Sequence, residues 1–452
     1  MKIIILGAGR TGSSVAKHLA SEDNDVVVVD VNRTLLQELQ DRVDISTVTG
    51  IGPHPTTLEQ ANAASADLII AVMSRDEDNM IACQIAWSLY QVPLKIARIR
   101  DTDYLSHEEL FSRDNIPIDV LIRPEALVTR YIQNFVEYPG ANLVIEFAGG
   151  AAHLVSVTVQ PDVKALGYTV RKLHDTFPLV RVLAVIRDGK LLIPDADTVI
   201  EEKDQLFYMS PPKLTLDIMK KLRKPERPYK RVILAGGGHI GKRVALALQH
   251  DFQVKIIEKS AERAAQIAPL LDKTIVLSGD ATDRDLLVSE GIGDTDVFCA
   301  ITSEDEANIL SSMLAKRLGA RKTLCLVNKP TYVDMIQGGP IDIAFSPDKI
   351  TAGSILRYVR RGHVEKVYPL QDSGAEVMEA VASGEPDDSL LVGRRVDQID
   401  MPEGVVLGAI VRNGKMIAVH HDTIIETGDH IVMLLRDKTL LGTVASYFQP
   451  DA

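Results

Sequence analysis

The sequence of 452 residues has few of the residues that build disulfides or zinc sites. Its three cysteines, Cys83, Cys299 and Cys325, lie far apart inside apolar segments. This argues against both kinds of site and is typical of a protein from a reducing cytoplasm. No apolar run approaches the roughly 18 residues that a membrane-spanning helix needs. Because the first predicted strand begins at Lys2, we expect no signal peptide.

An excess of positive charge is also missing. The chain has 62 acidic and 50 basic residues, and its formal net charge is −12. This charge opposes nonspecific binding to nucleic acid or anionic lipid, so we expect no nucleic-acid partner. The apolar content of 46% and the charged content of 25% are ordinary for a globular protein. The length exceeds what one hydrophobic core supports, which predicts several domains.

A dinucleotide-binding fingerprint opens the chain. An apolar run leads into Gly-Ala-Gly-Arg-Thr-Gly, a predicted helix follows, and a second apolar run ends in Asp30. Gly7 makes the tight turn, Gly9 lets the backbone approach a phosphate, and Gly12 lets the helix pack on the strand. The N-terminus of the helix offers free N–H groups to that phosphate. Asp30 can accept hydrogen bonds from a ribose diol.

The same unit occurs again from Arg231. Gly236 repeats Gly7 at an offset of 229 residues (236 minus 7), and Glu258 repeats Asp30 at 228 (258 minus 30). Further matches continue along both halves, which predicts two tandem copies of one module of about 225 residues.

The predicted fold class is α/β, with two tandem Rossmann-like doubly wound parallel sheets, each followed by a small α+β lobe. A basic helix at 213–230 is predicted to link the modules. The predicted segments are a first Rossmann lobe at 1–123, a proline-opened helix at 124–140, a first small lobe at 141–225, a second Rossmann lobe at 226–346, a second proline-opened helix at 347–364 and a second small lobe at 365–452.

Charged residues stand inside the glycine turns. The positive charge of Arg10 opposes the helix dipole. A phosphate bound to the same subunit or to a neighbouring subunit would explain this charge. The alternative is a solvent-exposed arginine. His239 holds the matching place in the second module, as an anion ligand or as a surface histidine. Glu125 and Asp348 each follow a proline at a helix start, where acids are expected. A cation site or an interface is the other interpretation of these two.

Acids at the ends of the second strands point to the ribose. Asp30 and Glu258 favour a free diol and repel a 2′-phosphate, which favours NAD or an adenine nucleotide over NADP. A cap of a helix or turn is the alternative role. After the third strand, Asp280 can bond an adenine amino group or a ribose, whereas Ile51 cannot.

Further polar and charged residues complete the candidate site. Ser74 and Ser303 have the spacing of a helix capping box, and the alternative is that they line the nucleotide together with Asn79 and Asn308. Arg98 and Arg100 end the fifth strand, at the edge where open α/β sheets bind ligands, and are candidate phosphate ligands. The candidate nucleotide-binding residues are Gly7, Ala8, Gly9, Arg10, Thr11, Gly12, Asp30, Gly50, Ser74, Arg98 and Arg100 in the first module, and Gly236, Gly237, Gly238, His239, Ile240, Gly241, Glu258, Gly279, Asp280, Ala281 and Ser303 in the second.

No catalytic set is visible in the sequence. We find no Cys–His or Ser–His–Asp arrangement that the two modules share, no HExxH motif and no candidate metal ligands. A nucleotide-binding site without catalytic residues favours a sensing role, in which the bound ligand shifts a conformational equilibrium of the protein. An NAD-dependent oxidoreductase with an unrecognised catalytic site is the alternative, and a nucleotide-binding scaffold without a membrane partner is a third.

The sequence resembles the TrkA family, the peripheral subunits of bacterial Trk potassium-uptake systems, which contain two RCK (regulator of K⁺ conductance) modules. The resemblance covers essentially the whole chain. It rests above all on KIIILGAGRTG at the start, DEDNMIACQIA at 76–86, GGGHIG at 236–241 and DEANILSSMLAKRLGA at 305–320.

The resemblance implies a regulatory subunit that is not an enzyme. It implies a cytoplasmic ring, a homotetramer, peripheral on the cytoplasmic face of the inner membrane beneath a TrkH-type channel subunit on which potassium acts. Binding of NAD(H) and of ATP or ADP is then expected to change the shape of the ring and gate ion flow. The helices at 124–140 and 347–364 become interface helices. His239 and Ile51 depart from the family pattern.

Overall fold

A computed structural model describes residues 1–21, 24–224, 227–329, 332, 335–336, 339–359, 364–370, 374–437 and 439–448. Two compact units form, and each takes one part from each sequence module. Unit 1 combines Met1–Arg130 with Lys230–Val359, and unit 2 combines Tyr131–Tyr229 with Arg360–Ala452. In the described part of the chain, no helix is long and apolar enough to cross a membrane.

The first Rossmann lobe in unit 1 is built on a six-stranded parallel sheet of order β3-β2-β1-β4-β5-β6. Its apolar strands are buried because helices cover both faces of the sheet. The strands are Lys2–Leu6 (β1), Asp25–Asp30 (β2), Ser46–Thr49 (β3), Leu68–Ala71 (β4), Leu94–Arg98 (β5) and Val120–Ile122 (β6). The helices are Arg10–Ala20 (α1), Arg33–Gln40 (α2), Pro55–Gln60 (α3), Asp76–Tyr90 (α4), Thr102–Leu105 (α5) and Pro124–Glu137 (α6).

The second Rossmann lobe repeats this topology with the order β14-β13-β12-β15-β16-β17. Its strands are Arg231–Ala235 (β12), Gln253–Glu258 (β13), Ile275–Ser278 (β14), Val297–Ala300 (β15), Lys322–Leu326 (β16) and Ile343–Phe345 (β17). Its helices are His239–Leu248 (α9), Ala261–Ile267 (α10), Arg284–Ser289 (α11), Asp305–Arg317 (α12) and Pro347–Val359 (α13). The two parallel sheets confirm the predicted fold class.

Helix α13 of the second module packs on the first Rossmann lobe. Ala352 and Ile355 are buried in one core cluster with Val15, Ala16 and Leu19 of α1. The apolar face of α1 is therefore covered by a helix from the other module, which ties the two Rossmann lobes into unit 1.

Unit 2 contains two five-stranded antiparallel sheets, of order β10-β9-β11-β8-β7 and β18-β19-β22-β20-β21. The strands are Leu143–Phe147 (β7), Ala152–Thr158 (β8), Arg181–Arg187 (β9), Lys190–Leu192 (β10), Gln205–Ser210 (β11), Val364–Pro369 (β18), Glu376–Val381 (β19), Val405–Arg412 (β20), Lys415–Ile417 (β21) and His430–Leu435 (β22). The helices are Val170–Thr176 (α7), Pro212–Leu222 (α8) and Leu440–Ser446 (α14).

The two small lobes share a core within unit 2. Leu183 and Met209 of the first sheet are buried in one cluster with Ala409 and Leu434 of the second. The sheets approach so closely that a Cβ added at Gly408 would lie 2.8 Å from Leu183 Cδ2. Glycine at this position therefore lets the two sheets pack together.

The helix predicted at 213–230 is wrong in extent, and residues 225 and 226 of this range lie outside the described part of the chain. The helix ends at Leu222, and its buried face, which includes Ile218 and Met219, belongs to the core of the first small lobe. The lysines of this helix indicate a solvated face, whereas its apolar residues at helical spacing determine how the helix packs.

A buried ion pair recurs at the same place in both small lobes. In the first, Arg187 donates from Nε to Asp204 Oδ1 at 2.7 Å and from Nη2 to Oδ2 at 2.8 Å, and the Asp204 side chain is fully buried. Arg412 and Asp429 repeat this arrangement at 2.8 and 2.7 Å. The hydrogen bonds that Arg187 donates to Asp204 raise the pKa of Arg187. Each arginine thus neutralises a carboxylate that has no access to water.

Arg187→Ala is expected to lower the free energy of unfolding by about 3–5 kcal/mol, because it leaves the buried Asp204 charge without its partner. The measurement is urea unfolding. Lys220→Ala is the control, since it removes an exposed ion pair with Asp217 and should change stability by less than about 1 kcal/mol. Equal effects of the two substitutions would contradict the assigned role of Arg187.

Candidate functional site

The glycine turns of the two Rossmann lobes have nearly identical geometry. Gly7 has φ +107° and Gly236 has φ +114°, a backbone conformation that residues with a side chain rarely adopt. A Cβ added at Gly12 would lie 1.9 Å from the Gly7 carbonyl oxygen, and one at Gly241 would lie 2.0 Å from that of Gly236. The first and third glycines of each motif are therefore required for the turn and for the start of the helix.

The middle glycines serve a different purpose. Gly9 and Gly238 have extended backbones with φ −64° and −70°, which any residue can adopt. A Cβ added at either would have no atom within 4 Å. Glycine is thus not needed there for folding. It leaves open the space in front of the helix N-terminus, which is where an anion is stabilised.

The predicted ribose acids are held by the glycine turns themselves. Asp30 Oδ2 accepts a hydrogen bond from the Ala8 N–H at 2.6 Å, and Oδ1 accepts one from the Asn32 N–H at 2.8 Å. Glu258 makes the same bonds with the N–H groups of Gly237 and Ser260, at 2.7 and 2.9 Å. The carboxylates therefore do cap the turn. Each oxygen keeps a second lone pair with which to accept a ribose hydroxyl.

A cleft of about 890 Å³ in unit 1 is lined by both Rossmann lobes. The predicted site residues that line it are Gly236, Gly237, Gly238, His239, Ile240, Glu258, Gly279, Asp280, Ala281 and Ser303 of the second module, and Arg10, Thr11, Arg98 and Arg100 of the first. The predicted residues that do not line it are Gly7, Ala8, Gly9, Gly12, Asp30, Gly50, Ser74 and Gly241. The second glycine turn therefore faces the arginines of the first module.

Arg10 is anchored across the two lobes. Its Nε lies 3.6 Å from Asp348 Oδ2, although 66% of its side chain stays exposed. Thr11 Oγ1 donates to Asp348 Oδ1 at 2.8 Å. Asp348 is in the first turn of α13, so this helix start is joined to the start of α1 by a hydrogen bond and an ion pair. Asp348 is therefore both an acid at a helix start, as expected, and a contact between the two Rossmann lobes.

Arg98 and Arg100 supply further positive charge at the carboxyl end of β5. Arg98 donates from Nη2 to the Met73 carbonyl at 2.7 Å, but its buried Nε has no hydrogen-bond partner among the described atoms. Burial lowers the pKa of Arg98, and the charge of Arg100 lowers it further. Such a desolvated cation would be stabilised by an anion in the cleft.

The predicted capping boxes are wrong. Helix α4 begins at Asp76, after Arg75 at its N-cap, so Ser74 stands one residue too early to cap it. Helix α12 likewise begins at Asp305, after Glu304. The side chains of Asp76 and Asp305 instead accept hydrogen bonds from backbone N–H groups that follow the fifth strand of each lobe.

Asn79 and Asn308 do not line the cleft. Both are fully buried. Asn79 bonds the backbone of Met73 and Arg98, and Asn308 bonds that of Thr302 and Leu326. Each asparagine therefore connects the backbone after the fourth strand to the end of the fifth strand. Ser303 lines the cleft, whereas Ser74 does not.

Asp280 is a charged residue in the lining of the cleft. Its Oδ1 accepts hydrogen bonds from Thr282 Oγ1 at 2.7 Å and from the Thr282 N–H at 2.9 Å. Its Oδ2 lies 3.0 Å from Lys259 Nζ. These contacts, led by the Thr282 hydroxyl, lower the pKa of Asp280 to about 2. The carboxylate is therefore ionised at neutral pH and able to accept a hydrogen bond.

Lys259 and Arg263 also line the cleft, although the sequence did not identify them as candidate site residues. Arg263 lies 3.9 Å from Glu258. The charges alternate in sign from Lys255 to Arg263, and this pattern indicates only that the segment is exposed. No group of three or more His, Cys, Asp or Glu side chains within the described ranges could hold a metal ion.

Comparison with known proteins agrees with this architecture. Residues 3–124 and 232–347 match the family described as TrkA-N domain, and residues 154–222 and 385–441 match that described as TrkA-C domain. The chain is 47% identical over 451 residues to the Trk system potassium uptake protein TrkA of Halomonas elongata, covering 99% of each protein. It is similar in fold to the GsuK RCK domain (TM-score 0.62, 19% identity, 99% and 94% covered) and to the GsuK channel bound to NAD (TM-score 0.62, 19% identity, 98% and 79% covered).

Gly12→Ala is expected to lower the free energy of unfolding by about 3 kcal/mol, because the new methyl group meets a backbone oxygen that no rotamer change can move. Gly9→Ala is the matched control. Its methyl group enters open space, so its thermal unfolding should match that of the wild type. Similar loss in both variants would show that the turn needs all three glycines for folding.

Thr282→Val is expected to raise the pKa of Asp280 from about 2 towards its ordinary value of 3.8, because the hydroxyl is the main group that lowers it. Since the folded-state pKa is lowered, the stability that Asp280 contributes is complete above about pH 4 and is lost as the pH falls towards 2. NMR titration of the side-chain carboxyl measures the pKa. A Thr282→Ser variant, which keeps the hydroxyl, should stay near the wild-type value.

Proposed function

The chain belongs to the TrkA family, and from that premise we propose that it is the nucleotide-sensing regulatory subunit of a bacterial potassium uptake system. In this proposal it works in the cytoplasm as a homotetramer, peripheral on the inner membrane. It gates a TrkH-type channel subunit, on which potassium acts. Its role is regulatory and not catalytic.

The observation that carries the proposal is the cleft in which the second glycine turn faces three arginines of the first module. The proposed ligands are NAD(H) and the adenine nucleotides ATP and ADP. Glu258 would bind the ribose, and the N–H groups at the start of α9 would bind the phosphates. Arg10, Arg98 and Arg100 have the charge to bind the remaining phosphate oxygens, and Arg98 is also partly buried. The NAD in the related GsuK channel is consistent with such a ligand.

The ion pair between Arg10 and Asp348 supplies a route from binding to movement. A phosphate in the cleft would compete with Asp348 for the Arg10 guanidinium. Because Asp348 begins α13, which covers α1, a change in this ion pair would alter the contact between the two Rossmann lobes. A ligand that interacts differently with the two states shifts their equilibrium, as sensing requires.

The first module is proposed to hold a second nucleotide site. Asp30, the Ala8 N–H and the open space at Gly9 repeat the geometry of Glu258, Gly237 and Gly238. The division of each module into a Rossmann lobe, an interface helix and a small lobe, with the boundaries predicted from the sequence, is part of the same proposal.

Calorimetric titration of Arg10→Gln with ATP tests the proposal. The variant should bind ATP about tenfold more weakly at one site per chain, because a charge-assisted hydrogen bond to phosphate is lost. Arg75→Gln is the control, since its side chain is 67% exposed, against 66% for Arg10, and pairs with Glu77 outside the cleft. It should bind ATP like the wild type.

Two results would contradict the proposal. The first is the absence of ATP, ADP and NADH binding to the wild-type chain. The second is steady NADH oxidation or NAD⁺ reduction on prolonged incubation, which would favour the oxidoreductase. Ion flux through a reconstituted TrkH-type channel, with and without nucleotide, tests the gating step directly.

A further inference from the structure

The first small lobe has a concave basic surface beside the C-terminal end of α8. It encloses about 660 Å³, and we call it the basic groove. Its charged lining consists of two carboxylates, Asp162 and Asp217, and of five cations, Lys164, Lys220, Lys221, Arg223 and Lys224. The groove therefore has a net charge of +3 (5 minus 2), on a chain whose formal net charge is −12.

Two of these cations have no carboxylate partner. Lys220 and Lys224 pair with the two aspartates of the groove, at 2.8 and 3.6 Å. Lys164 and Lys221 form no ion pair with any residue that the structure describes. The dipole of α8 favours Lys221, which is in the last turn of the helix, but it does not explain Lys164, which is on the loop that follows β8. An anionic partner would explain both.

The second small lobe has the same loop in a different form. In the first lobe the loop between Val159 and Gly167 lines the basic groove. Its counterpart lies between Ala382 and Gly393, because the end residues of both loops make matching backbone hydrogen bonds. The counterpart is three residues longer (10 minus 7) and contains Gly-Glu-Pro-Asp-Asp at 384–388. Helix α14, which takes the place of α8, has no lysine. The duplicated lobes therefore differ, with a basic groove in the first and an acidic loop in the second.

The acidic loop, residues 384–388, has a fixed shape and three free charges. Glu385, Asp387 and Asp388 are exposed, and none of them forms an ion pair within the described part of the chain. Thr427 Oγ1 donates to the Gly384 carbonyl at 2.6 Å, and the Asp388 N–H donates to the Glu385 carbonyl at 3.1 Å. Because these bonds hold the backbone in place, little conformational entropy is lost when the loop binds a partner.

We infer that the acidic loop of one copy of the chain docks in the basic groove of a second copy. The three carboxylates of the loop balance the net charge of +3 in the groove, and they provide Lys164 and Lys221 with partners. Leu390, which is 40% exposed beside the loop, can cover the half-buried Val163 and Phe177 of the groove. This inference rests on the homotetramer of the proposed function, and it names the surfaces by which the copies meet.

Shape and charge favour a second copy of the chain as the occupant of the groove. A flat bilayer surface does not fill a concave groove, whereas an exposed loop does, and the net charge of −12 opposes the approach of the chain to anionic lipid. Because each copy provides both the groove and the loop, the contact is heterologous. Such a contact repeats from copy to copy and closes into a ring when the rotation between copies allows it.

Charge reversal on each side tests the contact. K164E/K221E reverses the unpaired charges of the groove, and D387K/D388K reverses two charges of the loop. Each double variant should weaken self-association by about tenfold, because like charges then face each other. The chain that combines all four substitutions restores the attraction with opposite signs, so its self-association should return towards that of the wild type. Sedimentation over a series of protein concentrations measures the association.

K190E/K213E is the control, because it reverses two exposed lysines of unit 2 that lie outside the basic groove. It should associate like the wild type. A disulfide provides an independent measurement if a charge-reversed variant does not fold. Chains with Lys221→Cys and chains with Asp387→Cys, co-expressed with different tags, should form a linked pair on mild oxidation. Lys213→Cys replaces Lys221→Cys in the control and should form none. The native cysteines are buried and do not compete.

Unchanged self-association in K164E/K221E would overturn the inference, as would the absence of the linked pair. If K164E/K221E assembles normally but no longer binds a reconstituted TrkH-type channel, the groove belongs to the membrane partner and the inference alone is overturned. A wild-type chain that stays monomeric would overturn the inference together with the homotetramer of the proposed function. Failure of the assembled wild-type chain to bind nucleotide would overturn the proposed function and leave the docking contact intact.

Discussion

The close approach of the third glycine to the carbonyl of the first fixes the rest of each Rossmann lobe. With only a hydrogen atom between Gly12 and the Gly7 carbonyl, α1 starts directly over the turn, and its free N–H groups face the carboxyl edge of the sheet. The same contact sets the direction of α9 in the second module. The acid at the end of the second strand then holds the turn through a backbone N–H, so glycine turn, helix start and carboxylate form one rigid group.

The second constraint is that like lobes of the two modules pair within one unit. Pairing places the arginines of the first module opposite the glycine turn of the second. The arrangement is not symmetric, because Leu326 and Asn328 stand in the second module where Arg98 and Arg100 stand in the first. A duplicated sequence has thereby produced two glycine turns of nearly identical geometry, of which the second faces the arginines of the first module across the cleft.

Local rules were enough to predict the sheets and the turns. The apolar runs that end in Asp30 and Glu258 are long enough, and their flanking glycines distinctive enough, to identify strands, helix starts and the α/β class. The capping boxes at Ser74 and Ser303 were wrong because a spacing of three residues does not show where a helix begins. The extent of the helix predicted at 213–230 was wrong because its apolar residues at helical spacing stop at Leu222.

The candidate site was harder to predict than the fold, because it depends on contacts between distant segments. The sequence suggested Arg10, Arg98 and Arg100 as candidate phosphate ligands but gave no way to place them in the cleft of the other module. The meeting of Arg10 with Asp348 depends on how α13 packs on α1. No local pattern encodes a packing of two helices from different modules.

The packing of α13 on α1 also affects synthesis on the ribosome. Thr11 and Asp348 are separated by 337 residues, which at 5–20 residues per second corresponds to roughly 17–67 s of translation. During that interval the apolar face of α1 has been made, but the helix that covers it has not. Contacts of such long range also form slowly. The first lobe is therefore synthesised with one apolar helix face that has no covering partner until the end of the second Rossmann lobe has been made.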